Sequence, residues 1–166
     1  MSFITGTYDV ATWDNAPIGQ TEAGFRVRKV QHKEDILTDS GGDAPVDGVI
    51  RGAEYEVTCD FVEYDALQTS GLLDAATLAG DAIARVGMLL VGQAHELILT
   101  AKAGTSAATL DGVGRSWVFY KAIIVSDIDV LMANKLRKGP ITIKAYPDPD
   151  HSNKAYEIIT TPASGG

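Results

Sequence analysis

Cysteine and cationic charge are what this 166-residue chain has least of. Cys59 is its single cysteine, so no disulfide can form within the chain. That usage fits a protein made in a cytosol. Lysine and arginine number 14 against 22 aspartates and glutamates, a formal net charge of −8. A chain this acidic repels phosphate, which argues against sequence-specific nucleic-acid binding. No apolar run approaches the length that spans a bilayer; Met88-Leu89-Leu90-Val91 and Ala122-Ile123-Ile124-Val125 are typical. The opening Met1-Ser2-Phe3-Ile4-Thr5 lacks the basic and apolar regions of a signal peptide, and no membrane association is expected.

Catalytic patterns are missing as well. His32, His95 and His151 are the three histidines, and none has a second ligand at zinc spacing. Asp148-x-Asp150-His151 offers oxygen and nitrogen ligands to a cation, but a proline-punctuated acidic turn accounts for it more simply. Asp39-Ser40-Gly41-Gly42-Asp43 lacks the ligand pattern of a calcium loop and reads as a loop tip. Gly112-x-Gly114 is too short for a phosphate loop, and no serine sits in a nucleophile elbow. Trp117, Phe119 and Tyr120 can stack on a sugar or a base, although adjacent aromatics in a strand more often serve core and interface. The expectation is a protein that is not an enzyme and uses no cofactor or metal.

What the chain does have is concentrated between residues 24 and 65. Gly24 to His32 alternates, with Phe25 and Val27 on one face and Arg26 and Arg28 on the other. Residues 54–61 alternate more cleanly. Tyr55, Val57, Cys59 and Phe61 share one face; Glu54, Glu56, Thr58 and Asp60 share the opposite one. A period of two marks a half-buried strand, and it places Cys59 on the apolar face as a buried, inert thiol. Between Lys33 and Asp65 lie ten acidic residues and two bases, Lys33 and Arg51. Two strands joined by a long acidic loop suggest assembly rather than catalysis. If the strands pair, arginines and carboxylates can meet on one exposed face, each opposite-charge pair contributing roughly 0.2–1 kcal/mol.

Elsewhere the texture is β-rich. Tyr8 to Trp13, the turn Asp14-Asn15-Ala16-Pro17 and a return over Ile18 to Thr21 make a short N-terminal hairpin. One helix is expected from about Asp65 to Gly80, interrupted near Gly71. Further strands are expected over Ala84 to Leu90, Glu96 to Lys102, Ser116 to Val125 and Pro140 to Tyr146, with a loop over 103–114. The fold class is therefore α+β and β-rich, a β-sandwich or partly closed barrel with one flanking helix and a long hairpin loop. Residues 1–150 form the single domain, and residues 151–166 form a C-terminal tail, disordered unless a partner orders it.

The order of several short motifs resembles the major tail tube proteins of siphophages. Those motifs are Tyr8-x-Val10, Asp14 through Thr21, Gly24-Phe25-Arg26-Val27-Arg28, Asp47-Gly48-Val49-Ile50-Arg51-Gly52 and the closing strand Pro140 to Asp148. The resemblance covers roughly residues 6–148 and also relates the chain to the tubes of contractile tails and type VI secretion systems. It implies a tail-tube fold, a β-sandwich with a flanking helix. Six copies would form a ring, and rings would stack into a hollow tube through which DNA leaves the capsid without specific binding. It also implies a place in the virion tail after synthesis in host cytoplasm. Tape-measure and tail-terminator or baseplate proteins would be the other partners. On this reading Glu54, Glu56 and Asp60 line the lumen, while Glu34, Asp35, Asp39, Asp43 and Asp47 lie in a ring-stacking loop. Arg26 and Arg28 pair between subunits. The rival placement puts the three lining acids at a subunit interface, against Arg26, Arg28 or Lys144. A different class of function, a small β-sandwich module binding a carbohydrate or protein partner, stays open beside it.

Overall fold

The computed structural model describes residues 10–73, 86–101, 116–127, 129 and 138–159. Among these, eight strands form one antiparallel sheet, which does not close into a barrel. The strands are β1 (Val10–Trp13), β2 (Ala16–Pro17), β3 (Thr21–Ile36), β4 (Asp47–Phe61), β5 (His95–Thr100), β6 (Ser116–Ile124), β7 (Gly139–Tyr146) and β8 (Tyr156–Ile159). Their order across the sheet is β2-β1-β5-β6-β7-β4-β3, with β8 also on β6. One short helix, α1 (Tyr64–Thr69), 3-10 turns at Leu90–Gln93 and Pro149–His151, and helical residues Leu72 and Leu73 after a break at Gly71 accompany the sheet among the described residues.

Alternation sets which side chains go inward. Val57, Cys59 and Phe61 of β4 join Ile141, Ile143 and Ala145 of β7 and Leu97 and Leu99 of β5 in one core. Phe119, Ala122 and Ile124 of β6 complete its centre. Leu67, Leu72 and Leu73, in and just after α1, cover that face together with Trp13 and Ile18. Burying an aliphatic side chain of this kind stabilises by roughly 1.5–3 kcal/mol. The indole Nε1 of Trp13 donates to the carbonyl of Ala122 at 2.8 Å, so the largest side chain of β1 is pinned across β5 to β6.

Several expectations meet corrections. The N-terminal hairpin turns earlier, on Asp14 and Asn15 at φ 50° and 63°, and returns over Ala16–Pro17 instead of Ile18 to Thr21. Two successive positive φ values match the turn that suits tightly joined antiparallel strands. Thr21 already belongs to β3. Strands β6 and β7 fall where the β-favouring residues of 116–125 and the start near Pro140 place them, and β5 runs from His95 to Thr100. No strand covers Val86 to Leu90: Val86 and Gly87 form a turn and Leu90–Gln93 a 3-10 turn, while residues 84 and 85 lie outside the described residues. Four consecutive aliphatic residues carry no period, so the run was ambiguous from the start. The helix breaks at Gly71 (φ 78°) as expected, and its stretch from Asp74 to Gly80 lies outside the described residues, as does the 103–114 loop.

The C-terminal boundary also moves. Strand β7 runs beside β6 until Tyr146 faces Lys121, and β8 rejoins the same edge with Tyr156 opposite Phe119. The expected tail from His151 is therefore a built part of the sheet as far as Ile159, while residues 160–166 lie outside the described residues. Pro147 to Ala155 protrude as a hook opposite Tyr120, whose amide donates to the carbonyl of Ala155. Local composition rich in proline and aspartate hid this, because the hook carries the turn residues and β8 is only four residues long.

Candidate functional site

The long acidic loop is mostly strand. Strands β3 and β4 pair from Thr21↔Phe61 out to Ile36↔Asp47, so the connection shrinks to residues 37–46. Glu34 and Asp35 lie in β3 and Asp47 begins β4; Asp39 and Asp43 alone of the five loop candidates sit in the turn. Sequence reasoning stopped the strands early because acids and glycines are poor strand formers. What overrides propensity is a long ladder, with irregularities between Thr21 and Phe25 and between His32 and Lys33, and an ion pair between Glu34 and Arg51 on the ribbon.

Strand β4 pairs with β7 only from Tyr55 to Phe61. Beyond Tyr55 the two strands continue as a free ribbon with β3 alone on one side of β4. Its outer part exposes Ile36, Leu37, Val46, Val49 and Ile50, the last 65 % exposed. A shallow groove of about 460 Å³ lies over Ile36, Leu37 and Val49, floored by Glu34 and Arg51. A second exposed apolar group, Val86, Met88, Leu89, Leu90 and Val91, lies in the segment leading to β5.

The polar face of β3, β4 and β7 carries the candidate lining residues, arranged as a lattice of opposite charges. Register sets Arg28 opposite Glu56, and Glu56 opposite Lys144. Arg28 Nη1 stands 3.9 Å from Glu56 Oε2, and Lys144 Nζ stands 3.1 Å from Glu54 Oε2. His32 Nε2 approaches Glu54 at 3.5 Å. The Lys144 ammonium, by hydrogen bond and charge, holds the Glu54 carboxyl below its ordinary range, with His32 adding to the effect. The expected bare acidic stripe is thus largely compensated within one chain; Asp60 is exposed and makes no ion pair among the described residues. Arg28 has its partner inside its own subunit, and Arg26 faces Thr58. Cross-strand register, which brings Lys144 and His32 to Glu54, was the missing information.

Two further groupings owe their partners to the tertiary structure. Rings of Trp117 and Tyr156 stack at 5.3 Å and 14°, and Tyr156 meets Tyr55 at 4.8 Å, with Lys29 Nζ 5.5 Å from the Tyr55 ring centre. Beside them a cleft of about 340 Å³ lies between Ala53 and Tyr55 of β4 and the hook residues Pro147 and Asn153 to Tyr156. The hook itself is built on Asp148. Its buried carboxylate accepts from the amide of Asp150 at 3.2 Å and lies 2.8 Å from His151 Nδ1. The His151 hydrogen bond, strongest of the causes, holds Asp148 below its ordinary range. The His151 ring lies flat on Tyr120 at 3.8 Å, and the Tyr120 hydroxyl donates to Glu157, which pushes the phenol up to about 12. Asp148-Pro149-Asp150-His151 was legible as a turn, and Asp148 spends its oxygens on the turn's own donors. No cluster of three or more potential metal ligands occurs among the described residues. No described helix is long and apolar enough to cross a membrane.

No family model matches this chain, and no curated protein matches it significantly.

Proposed function

We propose that this chain is a structural subunit of a phage tail tube, assembling as hexameric rings that stack into a hollow conduit for DNA. The observation that carries the reading is the free ribbon of β3 and β4. An isolated two-stranded hairpin is at best marginally stable in water. This one projects past the third strand of its sheet and exposes Ile36, Leu37, Val46, Val49 and Ile50, which a neighbouring subunit would cover. Among the described residues the outer edge of the 16-residue strand β3 has no strand on it, and pairing with the next copy would cover it.

In such a tube the charge lattice of Glu54, Glu56, Asp60, Arg28 and Lys144 would face the lumen. Carboxylates already held by cations give phosphate little to bind and little to be repelled by, and Arg26 on the same face offsets Asp60, so the wall would be close to neutral. Screening over about 10 Å confines the residual field to DNA near the wall. Tape-measure and tail-terminator or baseplate proteins would contact the tube at its axis and ends, and the tail-tube fold would be the finer description of the open sheet.

A second reading, a small binding module for a carbohydrate or protein partner, is favoured by the cleft walled by Tyr55 and Tyr156. Negative-stain microscopy and sedimentation over rising protein concentration decide between them. Uniform rings or tubes are expected. A strict monomer at every concentration refutes the tube reading.

A further inference from the structure

We infer that the apolar segment Val86 to Val91 of one copy is the seat for the ribbon tip of another. The inference rests on the tube reading and specifies which surfaces meet in it. Both surfaces are exposed to a degree unusual for large aliphatic side chains: Leu37 at 61 %, Val86 at 76 % and Leu89 at 80 %. Exposed apolar patches of this kind mark interaction sites.

Charge selects the pairing. The ribbon tip carries Glu34, Asp35, Asp39, Asp43 and Asp47 against Lys33 and Arg51. Docking tip on tip would bring two sets of carboxylates together, and the chain as a whole is at −8, so most of its surface is a poor receptor. The stretch Val86-Gly87-Met88-Leu89-Leu90-Val91-Gly92-Gln93-Ala94 holds no ionisable side chain. The ribbon face that carries Ile36 and Val49, where Glu34 is already paired with Arg51, can settle there. Patch on patch, in contrast, would leave every ribbon uncovered.

The contact is heterologous, since a pair joined by it still holds one free seat and one free ribbon, on different copies. Such contacts close into rings or run on as filaments. Its size suits that role. Nine aliphatic or thioether side chains, Ile50 lying on the other face of the ribbon, are each about half exposed and offer roughly 450–800 Å² of apolar surface. A stand-alone interface needs about 1,200 Å² or more. The contact is therefore weak between two free molecules and cooperative within an assembly that repeats it.

Two variants of the full chain test it, Leu37→Cys and Leu89→Cys. The native Cys59 thiol is buried and stays silent. Mixed in equal amounts under assembly conditions and treated with a bismaleimide, they are expected to give a 37–89 linked peptide at least tenfold more abundant than 37–37 or 89–89 links. Leu89→Asp, at a position 80 % exposed, is expected to raise the concentration needed for assembly at least tenfold with an unchanged melting temperature. If the wild type forms tubes but the mixed cysteine variants yield no 37–89 link, and Leu89→Asp assembles normally, this contact is overturned and the tube reading stands. A wild-type chain that never assembles overturns both.

Discussion

Gly19 is the point where the chain after β2 is pressed against the start of α1, and its replacement by alanine separates two kinds of cost. Its backbone is left-handed, at φ 87°, and an added Cβ would lie 2.8 Å from the Cβ of Glu63 and 2.9 Å from that of Ala66. Both neighbours are stem atoms that cannot rotate aside. Left-handed backbone costs an L-residue about 1–2 kcal/mol, and overpacking a fixed site adds about 1–3 kcal/mol. Taking about 3 kcal/mol as the centre, and about 2–4 °C per kcal/mol for a chain of this size, Gly19→Ala should lower the melting temperature by about 6–12 °C. Gly24, at the irregularity in β3, supplies the control. It is also left-handed, at φ 76°, but an added Cβ there meets nothing within 4 Å. Gly24→Ala should therefore show the strain alone, a fall of about 2–8 °C. Gly52→Ala, with open space and no positive φ, should stay within about 1 kcal/mol of wild type. Differential scanning calorimetry of the three variants gives the comparison. Equal melting temperatures for Gly19→Ala and Gly24→Ala would refute the steric argument and the close seating of β2 on α1.

The hook predicts an acid-side dependence. Because Asp148 is held below its ordinary value of 3.8, its contribution is present above that value and fades as pH falls through the lower folded value. The melting temperatures of wild type and Asp148→Asn should thus differ at pH 6 and converge as pH drops below 3.8; a gap that persists undiminished at pH 2 counts against the His151 and Asp150 bonds as its source. Burial pushes the Cys59 thiol up to about 12, so Ellman's reagent at pH 8 should leave the native protein unlabelled and titrate one thiol in denaturant. Rapid labelling of the folded chain would place β4 wrongly.

Strand texture was readable wherever one face is buried, because Tyr55, Val57, Cys59 and Phe61 keep a period of two that only the pleat explains. The break of the helix at Gly71 was readable for a similar local reason. Where both faces meet solvent the pattern disappears. Lys33 to Ile36 and Asp47 to Val49 are strands without alternation, and they looked like loop. The short β8 was invisible for another reason: four residues after a proline-rich turn form a strand only because β6 presents a free edge to them.

The amino-acid sequence by itself determined the absence of an intramolecular disulfide, the acidic balance and the inward faces of β4 and β7. These follow from composition and from a backbone repeat that each strand carries alone. Tertiary structure decided the rest. Strand order β2-β1-β5-β6-β7-β4-β3 brings Lys144 and His32 onto Glu54 and turns a presumed acidic stripe into a lattice of paired charges. The early end of β7 frees the β3–β4 ribbon and leaves its aliphatic side chains in water. Both outcomes depend on which strands become neighbours and in which register. That choice is set by the summed burial of residues far apart in the chain, and no local repeat encodes it.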